Sequence, residues 1–181
     1  MEKTSRPTLL LHACCAPCTP HVINLLRENF RVTVFFYNPN IHPEEEYRKR
    51  ESEIREFSEK EKFSLIVGEY DVSNWMEAMK GLESEPEGGE RCRICFRMRL
   101  ERAAREAEER GIEYITTTLS VSPHKNIKLI NEEGNRAAGK CGIKFREENF
   151  KKKDGFRISC DLAAEHGMYR QDYCGCVFSQ K

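Results

Sequence analysis

The stretch TLLLHACCAPCTPHVINLLRENFRVTVFFY, residues 8–37, predicts the start of an α/β fold. Residues 8–12 form an apolar run of strand length, and residues 31–37 are rich in the β-branched and aromatic side chains that favour strands. Residues 17–29 have a helical pattern, with Pro17 suited to the first turn. Two strands joined by a helix in this order usually lie parallel in one sheet.

The rest of the chain continues this alternation of strands and helices. We predict strands at 63–67, 113–119 and 143–145, helices at 43–62, 91–110, 122–139 and 161–166, and a short helix capped by Ser73 or Asn74. The pattern predicts one domain over residues 1–181, with a Rossmann-like, mostly parallel sheet flanked by helices. In such sheets the functional site lies beyond the carboxyl ends of the strands.

Composition limits the partners of this protein. The chain of 181 residues has no net charge, so a nucleic-acid site must be a local patch. No apolar run approaches the roughly 20 residues that cross a bilayer. Residues 1–7 lack the pattern of a signal peptide. We therefore expect a cytoplasmic protein without a membrane partner.

Nine cysteines are many for a chain of this length, and most of them fall into three groups. The groups are Cys14, Cys15 and Cys18; Cys92 and Cys95; and Cys174 and Cys176. An odd number of cysteines without an export signal argues against a disulfide framework and favours metal binding or redox chemistry. Cys141 and Cys160 have no neighbouring cysteine and are predicted to be structural.

The pair Cys92 and Cys95 is the most typical metal-binding element. Its spacing at the start of a predicted helix places both thiols on one face. The three cysteine groups are unlike one another, which favours an iron–sulfur cluster over a structural zinc site built from two similar pairs. Since the thiols outnumber the four ligands of a [4Fe–4S] cluster, we favour a second metal over a pair of reactive thiols.

Four arginines surround this cysteine pair: Arg91, Arg93, Arg97 and Arg99. With the helix N-terminus, they supply positive potential for an anionic cluster or a polyanion. The alternative is a solvated helix face.

The loop at residues 13–17 occupies the place where many α/β proteins carry a glycine-rich phosphate loop. It contains no glycine, and Pro17 has no backbone N–H. We therefore predict that ATP does not bind there.

Basic and aromatic residues are interleaved near the C-terminal end. The candidate nucleic-acid contacts are Lys151, Lys152, Lys153 and Arg157, beside Phe145, Phe150 and Phe156. A solvated loop over buried phenylalanines is the alternative.

Three residues are candidates for proton transfer: Asp172, Tyr173 and His12. A salt-bridge role for Asp172 and a packed, structural role for His12 are the alternatives.

Five segments resemble the signature segments of QueH-type epoxyqueuosine reductases: LLHACCAPC, CRICFRMRL, TTTLSVSPHKN, FKKKDGFRIS and YRQDYCGC. This resemblance implies reduction of epoxyqueuosine to queuosine at the wobble position of tRNA, by a two-electron epoxide deoxygenation that ends queuosine biosynthesis and needs no cobalamin. It also implies a fold related to adenine-nucleotide hydrolases and PP-loop proteins. The C-terminal segment, residues 142–181, is expected to pack over the active site.

The resemblance further implies a [4Fe–4S] cluster and a neighbouring mononuclear iron. Carried onto this chain, it predicts Cys15, Cys92, Cys95 and Cys174 as cluster ligands. Cys14 and Cys176 are predicted to hold the single iron, and the division within each close cysteine pair is open. The implied partners are tRNA carrying epoxyqueuosine and an external low-potential electron donor such as ferredoxin or flavodoxin, with no ATP.

Three other functions compete with this interpretation. An iron–sulfur-dependent tRNA sulfurtransferase would need ATP, which the first loop disfavours. A zinc-stabilised RNA-binding module would be colourless and non-catalytic. A thiol–disulfide reductase that uses the first cysteine group would survive removal of metal.

Overall fold

A computed structural model describes residues 6–180. Five strands are present: β1 (Thr8–Ala13), β2 (Arg31–Phe36), β3 (Ser64–Val67), β4 (Tyr114–Thr117) and β5 (Lys144–Phe145). The α-helices are α1 (Thr19–Arg27), α2 (Glu44–Glu61), α3 (Val72–Ala78), α4 (Glu90–Glu109), α5 (Ile127–Lys140) and α6 (Gly155–Glu165). Short 3₁₀ turns follow β4 at Thr118–Val121 and end the described chain at Val177–Ser179. The predictions for the first five residues and for Lys181 lie outside the described part.

The strands form one sheet in the order β3-β2-β1-β4-β5, and every neighbouring pair is parallel. The buried run of β1 alternates between the two faces of this sheet. Leu9 and Leu11 pack with residues of α1 and α2, whereas Leu10 packs with residues of α4 and α5. The predicted α/β class and the parallel sheet flanked by helices are confirmed.

Four predicted boundaries were wrong, and local hydrogen bonds explain two of them, those of β4 and α5. β4 stops at Thr117, whose Oγ1 accepts a hydrogen bond from the Leu119 N–H and starts the 3₁₀ turn. α5 begins after Asn126, because the Asn126 Oδ1 caps the N–H groups of Lys128 and Leu129.

The other two differences concern α3 and α6. α3 begins after Asp71 rather than after Ser73 or Asn74. α6 starts at Gly155, before the predicted position, and packs against α1. Of the helices within residues 6–180, none combines the length and the apolarity needed to cross a bilayer.

Candidate metal centre

The loop between β1 and α1 brings three thiols together. The Sγ atoms of Cys14, Cys15 and Cys18 all lie within 4.8 Å of one another, and 3.7 Å separates those of Cys14 and Cys15. The Thr118 Oγ1 accepts a hydrogen bond from the Cys14 N–H at 3.0 Å, and the Thr19 hydroxyl donates to the Cys15 carbonyl at 2.8 Å. These contacts fix the loop, and the three thiols form a set that can bind a metal ion.

Within this triad the thiols are not equivalent. Hydrogen bonds from Cys15 and Cys18 hold the pKa of the Cys14 thiol well below its ordinary value, and the charges of Lys125 and Arg99 act in the same direction. The hydrogen bond to Cys14 and burial raise the pKa of Cys15 to about 12, and the hydrogen bond to Cys14 also raises the pKa of Cys18. Cys14 therefore carries the thiolate of the triad.

A second set of four thiols lines a cavity between α4 and the loop at residues 174–176. Cys92 and Cys95 come from the first turns of α4, and Cys174 and Cys176 come from the loop. We call this the four-thiol cavity; its free volume is about 30 Å³, and Trp75 and Phe96 are among its apolar lining residues. A hydrogen bond from Cys176 lowers the pKa of Cys174 to about 5.

The 174–176 loop is held by side chains from other elements. The buried Arg50 of α2 forms an ion pair with Glu46 at 2.7 Å and donates to the carbonyls of Tyr173 and Cys174, each at 3.2 Å. The His42 N–H donates to the Gly175 carbonyl at 2.8 Å. The thiols of this loop are thus positioned by residues more than 100 positions away in sequence.

The arginines around Cys92 and Cys95 divide into two classes. Arg93 and Arg97 form ion pairs with the buried carboxylate of Glu133, so they belong to the contact between α4 and α5. Arg91 and Arg99 are buried and line the four-thiol cavity. Four soft thiol donors beside two buried cations fit an anionic metal–thiolate group such as an iron–sulfur cluster.

A larger cleft opens beside these thiols. Its volume is about 700 Å³, it is open to solvent, and its lining includes Cys14, Cys18, Phe156, Asp172 and Tyr173. Cys174 lines both this cleft and the four-thiol cavity. A ligand in the cleft would therefore lie next to both sulfur sets.

The three candidate acids differ in their surroundings. Asp172 is exposed in the cleft, whereas the Tyr173 hydroxyl donates to the His42 carbonyl. His12 is fully buried, with Nε2 at 3.0 Å from the Tyr37 carbonyl oxygen and Nδ1 at 2.8 Å from Thr117 Oγ1. Since a carbonyl only accepts, Nε2 donates and Nδ1 accepts. Burial and the nearby Arg99 charge lower the pKa of His12 to about 3, so this ring is neutral.

The basic residues near α6 differ in exposure and in their partners. Lys152 and Lys153 are exposed, Lys151 donates to the Lys125 carbonyl at 3.1 Å, and Arg157 forms ion pairs with Asp154 and Asp161. Phe150 is buried and Phe145 packs in the core, whereas Phe156 is 39% exposed at the cleft. Of these three phenylalanines, Phe156 presents a ring to the cleft.

Comparison with known proteins identifies the family. The family model described as epoxyqueuosine reductase QueH matches residues 9–181. The chain belongs to the QueH family. An epoxyqueuosine reductase QueH of Streptococcus pyogenes serotype M1 is 40% identical over 99% of this chain and 73% of its own length. Those of Acinetobacter baylyi and Thermotoga maritima are 44% and 40% identical, over 94% and 95% of this chain and 79% and 90% of their own lengths.

A solved structure has the same fold as this QueH chain. It is the U34-tRNA thiolase NcsA from Methanococcus maripaludis with its [4Fe-4S] cluster, and it aligns with a TM-score of 0.59 at 13% identity. The alignment covers 98% of this chain and 63% of the thiolase. The low identity limits this comparison to the fold.

Sequence reasoning missed several residues of the site. Cys18 had no assigned role, although its spacing from Cys14 and Cys15 places it one helical turn away. Asn38 and Arg50 were not considered as parts of the site. Asn38 lies two residues after the end of β2, at the carboxyl edge of the sheet, and this position is the one signal in the sequence that points to it.

Proposed function

We propose that this chain reduces epoxyqueuosine in tRNA to queuosine. Its membership of the QueH family supports the reaction. The observation that carries the proposal is that Cys174 lines both the four-thiol cavity and the cleft, because a redox group and a substrate must lie close together. The cleft is open to solvent and large enough to admit a nucleotide of a tRNA loop.

We propose Cys92, Cys95 and Cys174 as three ligands of a [4Fe–4S] cluster, since all three line one cavity. The family resemblance predicts Cys15 as the fourth ligand. Cys176 is the competing donor, because it lines the cavity with the other three, whereas the Cys15 thiol lies with Cys14 and Cys18.

The triad of Cys14, Cys15 and Cys18 is the proposed site of the mononuclear iron. Cys14 was predicted to hold this iron, and its lowered pKa favours a thiolate ligand. Cys176, the second predicted iron ligand, packs instead with Cys95 and Trp75. When both groups are bound to the protein, the cluster would supply electrons one at a time and the iron would polarise the epoxide oxygen.

Deoxygenation of the epoxide takes two electrons and two protons and releases the oxygen as water. We propose Asp172 as the residue that delivers a proton to this oxygen, because its side chain is exposed in the cleft. The Tyr173 hydroxyl and both His12 nitrogens are engaged in hydrogen bonds to neighbouring groups. An external low-potential donor such as ferredoxin or flavodoxin would return the electrons.

The proposed reaction does not use ATP. The Cys14 N–H at the first loop is bound to Thr118, and Pro17 has no N–H to offer a phosphate. The proposed macromolecular substrate is tRNA, held through Lys151, Lys152, Lys153 and Arg157 with Phe156 stacking on a base.

The test of this function is an anaerobic assay. Protein reconstituted with iron and sulfide should convert epoxyqueuosine tRNA to queuosine tRNA with a strong reductant, without cobalamin or ATP. Asp172→Asn should lower the rate while iron content stays unchanged. Full activity of iron-free protein, or incorporation of sulfur into tRNA only when ATP is present, would contradict the proposal.

The ligand assignment is tested with single Cys→Ala variants at 15, 18, 92 and 176, analysed for iron and sulfide and by electron paramagnetic resonance. Cys92→Ala should lose the cluster. If Cys15→Ala also loses the cluster, Cys15 is the fourth ligand; if Cys176→Ala loses it instead, Cys176 is the fourth ligand. Cys18→Ala should keep the cluster and lose only the additional iron; an unchanged iron content in Cys18→Ala would exclude this residue from the single-iron site.

A further inference from the structure

Arg91, Cys95 and Arg99 form one stripe on α4. Their spacing of four residues places the three side chains on the same face of the helix. All are buried, with exposed fractions of 2%, 8% and 3%. The stripe faces the four-thiol cavity, whose lining includes all three residues.

The two arginines of this stripe are cations without a carboxylate partner among residues 6–180. Arg91 donates through Nη1 to the main-chain carbonyls of Leu82, Glu83 and Glu85, and Arg99 donates through Nη2 to Asn38 Oδ1 at 2.6 Å. The Nε–H of each arginine has no acceptor in the described chain. A buried charge is costly unless a counter-charge is present. An anion is therefore expected in the cavity that both arginines line.

The neighbour of Arg99 indicates the nature of this anion. Its Nη1 donates to Cys95 Sγ at 4.0 Å, and that thiol is one of four in the cavity. Soft thiolates bound to metal carry the negative charge of such a site. Phosphate oxygens would instead be expected where basic residues are exposed, as at Lys152 and Lys153.

Asn38 holds the Arg99 guanidinium in place. Its amide nitrogen donates to the Ala13 carbonyl at 2.9 Å, while its oxygen accepts from Arg99. Ala13 directly precedes Cys14 at the end of β1. The chain of contacts from Ala13 through Asn38 and Arg99 to Cys95 thus links the two sulfur sets through fixed hydrogen bonds.

We propose that Arg99 is a positioning residue that raises the reduction potential of the metal–sulfur group bound at Cys95. The inference rests on the proposed cofactor of this chain. Reduction adds a negative charge to the group, and a fixed cation with an N–H directed at the thiolate sulfur stabilises the reduced state more than the oxidised state. Electrons from a weak reductant are then accepted more readily.

The test is a redox titration of reconstituted protein, followed by electron paramagnetic resonance without tRNA. Arg99→Gln should lower the equilibrium constant for one-electron reduction at least tenfold, a shift of about 59 mV to lower potential. Arg97→Gln is the matched control on the same helix, because Arg97 pairs with Glu133 outside the cavity. Its potential should equal that of the unaltered chain.

Equal potentials for Arg99→Gln and Arg97→Gln would overturn the proposal. If Arg99→Gln does not retain the cluster, Arg99→Lys is measured, since lysine keeps the charge but loses the N–H that the planar guanidinium directs at Cys95 Sγ. A potential below that of the unaltered chain supports the proposal, and an unchanged potential overturns it, because the directed N–H would then have no effect. Failure of Arg99→Lys to bind the cluster with native circular dichroism also overturns it, since a lysine keeps the charge. An unaltered chain that holds the cluster but does not reduce epoxyqueuosine would refute the proposed function and leave this inference standing.

Discussion

His12 shows how burial decides the role of a single side chain. The residue lies in β1 beside the cysteine loop, a position that the sequence makes attractive for proton transfer. In the structure its ring links Tyr37 and Thr117 across three strands and is fully buried. Its structural task is to join β1 to its neighbours on both sides of the sheet.

The lowered pKa of His12 predicts a dependence of stability on pH. Between pH 6.5, its ordinary pKa, and about 3, the unfolded chain binds a proton that the folded chain does not. Stability therefore falls as the pH decreases below about 6.5, by about 1.4 kcal/mol per pH unit from this residue. Urea unfolding of metal-free protein at pH 7, 6 and 5 should show this loss, and His12→Gln should show a smaller one. Identical pH slopes for the two proteins would contradict the assignment.

The 174–176 loop requires a glycine at position 175. Its φ of +104° lies in the region that favours glycine, and an added Cβ would lie 2.7 Å from Ile41 Cγ1. The loop can therefore direct both Cys174 and Cys176 to the four-thiol cavity because position 175 has no side chain.

We predict that Gly175→Ala displaces this loop, at a cost of about 1–3 kcal/mol, and lowers the iron content after anaerobic reconstitution. Gly167→Ala is the control, since Gly167 also has a positive φ but an added Cβ would meet nothing within 4 Å. The iron and sulfide content per chain is the measurement. Equal contents in the two variants would show that the contact with Ile41 does not position the loop.

Arg50 stabilises the same loop from α2. Replacing it by Met removes the donors to the Tyr173 and Cys174 carbonyls and leaves Glu46 without its partner. We expect Arg50→Met to lose most of its cluster while the far-ultraviolet circular dichroism stays native. Arg55→Met on the same helix removes only an exposed pair with Glu51 and should retain the cluster. Cluster loss in both variants would indicate a general effect on α2.

At the scale of the whole molecule, the parallel sheet gathers the site at one edge. β1, β2 and β4 end at Ala13, Phe36 and Thr117, and the residues that follow them supply Cys14, Asn38 and Thr118. Residues 170–174, 179 and 180 line the cleft at this edge. That the whole C-terminal segment, residues 142–181, packs over the active site stays a prediction.

The tRNA surface is predicted to include Lys152 and Lys153 beside the cleft. The double variant Lys152→Ala/Lys153→Ala should raise KM for tRNA with little change in kcat. It should also reduce the slope of log affinity against log salt by about 1–2. Lys60→Ala/Lys140→Ala is the control, since these lysines lie in the last turns of α2 and α5 at the opposite end of the sheet. Equal salt slopes for both double variants would place the tRNA elsewhere.

The sequence alone determined the fold class and the family of this protein, and it predicted that the clustered cysteines bind metal. Strand and helix periodicity is a local property, and cysteine spacing within one loop or one helical turn is local as well, so both can be read without a structure. The pairing of Cys14 and Cys15 with Cys18 was within reach for the same reason.

Only the tertiary structure decided which of several residues of the same type, such as the arginines of α4, lie at the candidate metal centre. Arg91 and Arg99 differ from Arg93 and Arg97 by the face of α4 on which they lie and by the helix packed against that face. Cys176 joins Cys92 and Cys95 because Arg50, His42 and Ile41 hold its loop from distant parts of the chain. Burial and counter-charge depend on contacts between remote segments, and those contacts exist only in the folded chain.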